Sequence, residues 1–334
     1  MSEDSVPNTR ADTATLEAAA EWFALLTSEQ ATTSDWAGWR RWYDHSMANR
    51  QAWQYVEQVA QRFGQFADPT ECAVAESALN APARAGASRR RVLKGMGSVM
   101  LAAPIGWLAW RHTPAGSLIN RSWSDHASAV GEIRRLALPD GSHVWLNTAS
   151  AVNVGFDEQV RSLTLVTGEI FVATARDTRS RPLIVQTERA RMEALGTEFS
   201  VRHHDGSDEL AVLSGAVAVR SAGTSSSSVI REGQGTRVSQ DGIRAAYPVG
   251  DSAASWRRGI LFADNRRLGD LVQELARYWR GHLDVHPDVA NLRVMGTYPL
   301  DEPERALGML AEALPIRVSQ PLPWWAVLKP ASGH

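Results

Sequence analysis

The sequence predicts a multidomain fold class: a small all-α N-terminal bundle, one transmembrane helix, an antiparallel, jelly-roll-like β-sandwich and a C-terminal two-layer α+β module. Three observations predict it. Apolar side chains recur at helical spacing in residues 16–66, residues 92–110 are almost wholly apolar, and beyond residue 133 the apolar period changes to two. The expected boundaries are 12–67 for the helical domain, 68–90 for a linker, 91–111 for the span, 112–250 for the β domain and 255–330 for the module.

Composition limits the function classes. The 334 residues are 44% hydrophobic and 22% charged, which is typical of folded protein. The single cysteine, Cys72, excludes an intrachain disulfide. Residues 1–70 carry ten Asp/Glu against five Lys/Arg. This acidic balance disfavours a soluble DNA-binding protein, because neutralising phosphates supplies most of the affinity for nucleic acid.

The N-terminal segment predicts three short helices rich in tryptophan. They cover residues 16–26, residues 35–45 with Ser34 as N-cap, and about residues 49–66. Five tryptophans lie in this segment. We expect Trp22, Trp36 and Trp53 to be core residues. Trp39 and Trp42, beside Arg40, should reach a surface, where Trp and Arg are common interface anchors.

The apolar run of 19 residues at 92–110 is long enough to cross a bilayer as a helix of roughly 28 Å. A buried helix of a soluble domain is the alternative. Five basic residues lie in positions 81–94, and only Arg111 and Arg121 follow closely. The positive-inside rule therefore predicts a single-pass membrane protein, with residues 1–90 in the cytoplasm and residues 112–334 on the other side of the membrane.

The basic stretch SRRRVLK, residues 88–94, resembles a twin-arginine export signature, with Val92 where Phe is usual. Arg89 and Arg90 would then form an internal export signal whose apolar part remains as the anchor. The alternative is that these arginines serve only to fix topology.

Residues 133–247 contain short alternating runs separated by Gly-bearing turns, which predict the sandwich. The final segment follows the order β-α-β-β-α-β-β. Its first helix carries Leu271, Leu275 and Tyr278 on one face, and Asp301 is a plausible cap for its second.

No catalytic motif was found. G-x-S-x-G, P-loop and dinucleotide signatures are all absent. His203 and His204 are adjacent, so on a strand they would point to opposite faces and could not easily share a metal ion. We therefore expect no metal, no cofactor and no substrate turnover.

Several motifs resemble the FecR-type anti-sigma regulators. LPDGSHVWLNTASAVNVGF, VTGEIFVATA and ALGTEFSVR are similar to the central domain of that family, while EAAAEWFALL, DWAGWRRW and NRQAW are similar to its N-terminal domain. WRRGILFADNRRLGDLVQELARYW resembles its C-terminal domain, which is akin to the small signalling domain of secretins and TonB-dependent receptors. Many family members have His where this chain has Asn49.

The resemblance implies a cytoplasmic head that binds an extracytoplasmic-function sigma factor, through the five tryptophans and Arg40. It also implies a periplasmic part that responds to a TonB-dependent outer-membrane receptor of the iron-siderophore or haem type. We expect Phe262, Leu271, Leu275 and Tyr278 to contact that receptor's signalling domain. The alternative is an exported periplasmic ligand- or carbohydrate-binding sandwich with an N-terminal extension.

Some members of the family cleave themselves at a Gly–Thr bond in the ALGTEF motif, and Gly196-Thr197 stands at the matching place. The resemblance thus implies single-turnover self-cleavage by an N–O acyl shift. The alternative is structural: Gly196 makes a bend in a strand and Thr197 packs beside it.

Overall fold

The computed structural model describes residues 13–28, 31–67 and 124–331. It divides the chain into two compact units. One contains the N-terminal helices together with the C-terminal module from Ala263 onward, and the other contains the β domain. The predicted linker, the predicted span at 91–111 and the Arg89-Arg90 signal lie outside the described residues. Within the described residues, no helix is long and apolar enough to cross a membrane.

The predicted N-terminal helical region is present. Its helices, called the head below, are α1 (Thr13–Thr27), α2 (Thr33–His45) and α3 (Met47–Ala67). The N-cap of α2 is Thr32 and not Ser34. Thr32 and Asp35 form a capping box, in which the Thr32 hydroxyl accepts from the Asp35 amide while the Asp35 carboxylate accepts from the Thr32 amide. A carboxylate three residues after the cap makes Thr32 the better start.

A polar turn joins α2 to α3. The Asn49 side-chain amide donates to the Trp42 carbonyl oxygen at 2.6 Å. The Ser46 hydroxyl donates to Asn49 Oδ1 at 2.8 Å and lies 3.1 Å from the Asn49 amide nitrogen, from which it accepts. Asn49 is buried. Its side chain satisfies a carbonyl at the end of α2, while the Ser46 hydroxyl satisfies an amide at the start of α3.

The β domain contains fifteen strands among the described residues. They are β1 (His126–Ala127), β2 (Arg134–Ala137), β3 (His143–Leu146), β4 (Ala151–Phe156), β5 (Arg161–Thr167), β6 (Glu169–Ala173), β7 (Leu183–Gln186), β8 (Ala190–Ala194), β9 (Glu198–His204), β10 (Ser207–Ser214), β11 (Ala216–Ser221), β12 (Ser227–Arg231), β13 (Gln234–Ser239), β14 (Gly242–Ile243) and β15 (Tyr247–Pro248). A 3₁₀ helix, Asp251–Arg258, follows them.

These strands form two sheets, as the alternating pattern predicts. One has the order β1-β4-β5-β7-β8-β11-β12, and the other has the order β14-β13-β10-β9-β6-β3-β2, with β15 beside β13. All pairs are antiparallel except β5 with β7. Alternate residues of each strand point inward to one apolar core, which includes Leu146, Leu163, Met192 and Phe199.

Glycines carry the chain from one sheet to the other. Gly168 joins β5 to β6, Gly196 lies between β8 and β9, and Gly215 joins β10 to β11. All three have positive φ values, of 83°, 77° and 78°. This left-handed region favours glycine, because a Cβ atom would approach the following carbonyl oxygen. These three glycines therefore lie at corners of the sandwich, where the chain passes from one sheet to the other.

The C-terminal module comprises β16 (Ile260–Arg267), α4 (Leu268–Leu275), β17 (His282–Val285), β18 (Arg293–Pro299), α5 (Pro303–Ala313), β19 (Ile316–Leu322) and β20 (Trp325–Pro330). This is the predicted element order. β16 pairs with β18, while β17, β20 and β19 form a second sheet in that order. The N-cap of α5 is Glu302 rather than Asp301, and its side chain makes no capping hydrogen bond; Pro303 begins the helix instead.

Among the described residues, the head and the C-terminal module share a buried apolar cluster. Ala19 and Ala20 of α1 and Ala52 and Val56 of α3 share one buried apolar cluster with Trp325 and Val327 of β20. The sequence analysis treats the head and the module as separate domains, whereas the structure groups them in one unit. The small alanine faces explain this, because α1 and α3 can bury little area without a sheet to cover them.

Candidate functional site

Helix α2 presents an unusual aromatic surface. It is 13 residues long and carries Trp36, Trp39, Trp42 and Tyr43, yet none of its residues is buried. Trp36 is 50% exposed, and the neighbouring Arg40 is exposed as well. Large aromatic side chains left partly in solvent beside an arginine are typical of protein–protein contact sites. We call Trp36, Trp39 and Arg40 the α2 surface.

The aromatic side chains behind this surface hold it in place. The Trp39 ring lies 5.8 Å from Trp36, 5.2 Å from Tyr43 and 4.9 Å from Trp53, measured between ring centroids. Trp53 in turn lies 5.8 Å from Phe23 of α1. Such tilted and edge-on pairs fix ring orientations without close stacking. The α2 surface is therefore anchored through Trp53 to the other two helices of the head.

The structure differs from the expectation in which of the five tryptophans are buried and which are exposed. Trp53 is buried, as predicted for a core position, but Trp36 is the most exposed of the five and not a core residue. Trp42 is half-buried and packs against the cluster shared with the module. Trp22 is half-buried, and its ring occupies the space that a Cβ on Gly38 would need. Helical periodicity alone did not show which face the module covers.

The residues expected to contact a receptor do not form one surface. Leu271, Leu275 and Tyr278 are all buried, with at most 3% of their area exposed. Leu271 and Leu275 lie on the buried face of α4, and Tyr278 lies in the turn after it, so all three belong to the core. Phe262 is 45% exposed and remains accessible. The helical stripe that suggested these positions is the ordinary signature of a packed face.

Gly196 and Thr197 lie at a corner of the β-sandwich. Gly196 is exposed, whereas Thr197 is 4% exposed, and its Oγ1 has no hydrogen-bond partner within the part of the chain that the structure describes. A buried hydroxyl without a partner is unusual, because desolvating a polar group is costly. The buried, unpaired Thr197 hydroxyl thus directly follows a glycine in the left-handed region.

Thr174, at the end of β6, holds the backbone of Thr197. Its Oγ1 accepts from the Thr197 amide nitrogen at 2.8 Å and donates to the Thr197 carbonyl oxygen at 3.1 Å. Its own amide donates to the same carbonyl at 3.1 Å. Thr174 falls within the VTGEIFVATA motif, but no sequence signal pointed to this contact.

Gly215 completes the corner from the other side. A Cβ atom at Gly215 would lie 2.4 Å from the Gly196 carbonyl oxygen. The two glycine corners therefore pack directly against each other, and the Gly196 carbonyl is enclosed on that side.

His203 and His204 contact different carboxylates, as expected for adjacent residues that point to opposite faces of a strand. His203 Nδ1 lies 2.7 Å from Asp208 Oδ1, and His204 Nε2 lies 3.1 Å from Glu209 Oε2. The hydrogen bond with His204 is the largest influence on Glu209 and outweighs its burial; with Tyr247 and Arg237 it lowers the pKa of Glu209 to about 2. Among the described residues, no group of three or more His, Cys, Asp or Glu could hold a metal ion.

The contacts of two buried carboxylates were not predicted from the sequence. Arg161 binds Asp140 beneath the Pro-Asp-Gly turn, and Asp140 also accepts from Ser142. Asp208, which is 0% exposed, accepts from Thr187 as well as contacting His203. The Pro-Asp-Gly turn explains an aspartate at position 140. No sequence signal indicated that Asp140 pairs with Arg161 or that Asp208 accepts from Thr187.

The comparisons with known proteins agree with the motifs. Residues 124–218 match the family model described as FecR protein, and residues 17–59 match a domain of unknown function, DUF4880. No curated protein matches the chain.

Two crystal structures of a candidate anti-sigma factor from Parabacteroides distasonis ATCC 8503 are similar in fold. The first is 23% identical, with a TM-score of 0.51, and the alignment covers 62% of this chain and 98% of that one. The second is also 23% identical, with a TM-score of 0.50 and coverage of 61% and 97%. At this identity the likeness concerns the fold. Together with the two family models, it confirms that this chain resembles the FecR-type anti-sigma regulators.

Proposed function

We propose that the protein is an anti-sigma regulator whose helical head binds an extracytoplasmic-function sigma factor. The observation that carries this proposal is the α2 surface, on which Trp36 and Arg40 are exposed and Trp39 is packed behind them. It lies within residues 17–59, the segment that matches DUF4880. The acidic balance of the head also suits a partner with basic DNA-binding surfaces.

The proposed topology follows from the sequence. Residues 91–111 would cross the bacterial inner membrane, with the head in the cytoplasm and the β domain and C-terminal module in the periplasm. The periplasmic part would respond to a TonB-dependent receptor of the iron-siderophore or haem type. Since Leu271, Leu275 and Tyr278 are core, the proposed contact with the receptor's signalling domain uses exposed strand edges such as β19 rather than that helical face.

Co-purification tests the sigma-factor proposal. The full chain, solubilised in detergent, is mixed with each extracytoplasmic-function sigma factor of its source genome. We expect one of them to be retained, and the double variant Trp36→Ala/Arg40→Ala to lose it. The matched control is Met295→Ala, which removes a side chain that is 72% exposed on the C-terminal module. Retention by both variants would show that the α2 surface is not the binding site.

Protease access tests the topology and the alternative of an exported sandwich. In spheroplasts, protease added from outside should remove the β domain and the module while sparing a fragment that contains the head. A mature protein that lacks the head altogether would support the exported periplasmic protein instead.

We further propose that the Gly196–Thr197 bond undergoes self-cleavage. The Thr197 hydroxyl attacks the Gly196 carbonyl carbon, the C–N bond breaks, and the hydroxyl proton passes to the Thr197 nitrogen, which leaves an ester. Water then hydrolyses the ester to a Gly196 carboxylate and restores the hydroxyl. The unpaired, buried Thr197 Oγ1 and the left-handed Gly196 support this proposal.

Denaturing gels test the cleavage. The wild-type chain should run as two fragments that divide after Gly196, with Thr197→Ser also cleaved and Thr197→Ala intact. An intact wild-type chain would show that the Gly196–Thr197 bond is not cleaved and that the two residues only form a corner of the sandwich.

A further inference from the structure

The sheet β14-β13-β10-β9-β6-β3-β2 carries a buried aromatic ring on its outer face. Phe171 of β6 is paired with Trp145 of β3, and their ring centroids are 5.7 Å apart. The neighbours of Phe171 along the strand, Ile170 and Val172, belong to the inner apolar core, so Phe171 points to the other face of the sheet. Phe171 is nonetheless 0% exposed, so another element of the chain must cover it.

Arg257 of the 3₁₀ helix Asp251–Arg258 lies over this ring. Its Cζ atom is 3.6 Å from the ring centroid of Phe171 and 5.3 Å from that of Trp145. A cation over the face of an aromatic ring is attracted by the quadrupole of the ring, and the attraction is stronger where water is excluded. The preceding residue, Trp256, is 6% exposed, so the segment that carries Arg257 is itself packed against the protein.

Arg257 packs on the strand that ends at the cleavage corner. Phe171 lies three residues before Thr174, whose hydroxyl binds the backbone of Thr197. In the same stretch β6 is paired with β9, and Ala173 lies opposite Glu198. A shift of β6 against β9 would therefore move the Thr174 hydroxyl away from the Thr197 amide.

The charge of Arg257 also acts on β9. Burial lowers the pKa of the Arg257 guanidinium, the carboxylate of Glu198 opposes this, and the neighbouring Arg258 adds to it. Glu198 directly follows Thr197 in the chain. Arg257 thus packs on β6 through Phe171 and attracts β9 through Glu198, next to the bond that joins Gly196 to Thr197.

We propose that Arg257 is a positioning residue for self-cleavage of the Gly196–Thr197 bond. It holds β6 against β9 from the outer face of the sheet and so keeps the Thr174 hydroxyl on the Thr197 amide. This inference rests on the proposed cleavage. The 3₁₀ helix that carries Arg257 leads directly into β16, the first strand of the C-terminal module. The segment that enters the module therefore also sets the rate at which the bond breaks.

The rate of cleavage in newly made chains tests this role. The full chain is labelled by pulse–chase in cells, and the intact and cleaved forms are followed on denaturing gels. We expect Arg257→Ala to cleave roughly ten-fold more slowly than wild type, because misplacing reacting groups is costly in rate. Arg257→Lys keeps a cation over the rings and should stay within about three-fold of wild type. The matched control is Arg258→Ala, which removes an exposed arginine from the same helix and should leave the rate unchanged.

Two further variants separate positioning from a general loss of stability. Gly206→Ala should destabilise the same domain through backbone strain alone, since nothing lies within 4 Å of the added Cβ, and should cleave at the wild-type rate. In a Thr174→Val background, Arg257→Ala should slow cleavage by less than about two-fold, because both changes disturb the same contact.

The outcomes distinguish this role from the cleavage itself. A wild-type chain that stays intact would overturn the cleavage and the role of Arg257 with it. If the wild-type chain is cleaved, three results would each overturn the role of Arg257 alone. These are an unchanged rate in Arg257→Ala, an equal slowing in Gly206→Ala, and a full slowing by Arg257→Ala in the Thr174→Val background.

Discussion

The hydroxyl of Thr174 accepts a hydrogen bond from the Thr197 amide, with 2.8 Å between the oxygen and the nitrogen. This nitrogen is the atom that must leave Gly196 if the bond is cleaved. Thr174 also donates to the Thr197 carbonyl, so it holds the Thr197 backbone on both sides of its Cα atom. We infer that Thr174 is a positioning residue for the proposed cleavage.

Thr174→Val keeps the shape of the side chain and removes both hydrogen bonds of the hydroxyl. We expect the cleaved fraction to fall by about ten-fold or more, because misplacing a reacting group is costly in rate. Thr174→Ser should restore cleavage. Cleavage is measured on denaturing gels over time. Equal cleavage in wild type and Thr174→Val would show that Thr174 does not position the bond for cleavage.

Gly168→Ala should destabilise the β-sandwich. The glycine has a φ of 83°, and an added Cβ would lie 2.3 Å from the Ser150 hydroxyl oxygen. We expect a loss of about 3 kcal/mol in the free energy of unfolding from the clash and the strain together.

The matched control is Gly206→Ala. It has a similar φ of 88° but no atom within 4 Å of the added Cβ, so only the backbone strain of about 1 kcal/mol should remain. Denaturant unfolding of both variants measures the difference, and equal losses would contradict the predicted clash.

Asn49→Ala should loosen the turn between α2 and α3. It removes the 2.6 Å hydrogen bond to Trp42 and the contact with Ser46. We expect a loss of about 1–2 kcal/mol in the free energy of unfolding, since the Trp42 carbonyl oxygen and the Ser46 hydroxyl each lose a hydrogen-bond partner. Gln54→Ala, at an exposed position of α3, is the control and should change stability by less than about 0.5 kcal/mol. Similar losses in both would contradict the role of Asn49.

His282 should make the stability of the C-terminal module sensitive to pH. Burial lowers the pKa of its imidazole below the ordinary value of 6.5, and the nearby Asp284 opposes this in part. The ring stacks on Trp325 at 3.9 Å, and its Nδ1 lies 3.4 Å from the Tyr55 hydroxyl. The unfolded chain therefore binds more protons than the folded one, so stability is full above about pH 6.5 and falls as the pH drops below it.

Unfolding of the full chain in detergent, followed by fluorescence between pH 8 and pH 5, measures this effect. His282→Phe keeps an aromatic ring at the position and removes the titrating group, so the loss of stability between pH 7 and pH 5 should become smaller. An identical pH dependence in the variant would show that other groups cause it.

The sequence identified what depends on local pattern. The alternation of apolar residues and the glycine-bearing turns predicted the sandwich, but they did not predict that Gly168, Gly196 and Gly215 carry the chain from one sheet to the other. The order of helices and strands in the C-terminal module was also predicted, because each element carries its own period and its own turn residues.

Contacts between distant segments were not predictable in the same way. The Glu17–Lys329 pair and the Thr174–Thr197 contact join residues far apart in the chain, and no spacing rule connects them. The exposure of Trp36 and the burial of Leu271 depend on which face a neighbouring element covers. A helical stripe shows that a face is apolar, but it does not distinguish a core face from a docking surface.

Transcription in vitro gives the most direct test of the central claim, that the head regulates an extracytoplasmic-function sigma factor through the α2 surface. RNA polymerase carrying the sigma factor retained by this chain is assayed on a promoter of that sigma factor, with increasing amounts of the detergent-solubilised protein. We predict that transcription falls with wild-type protein and with Met295→Ala, and is unaffected by Trp36→Ala/Arg40→Ala. Unchanged transcription at saturating wild-type protein would contradict the account.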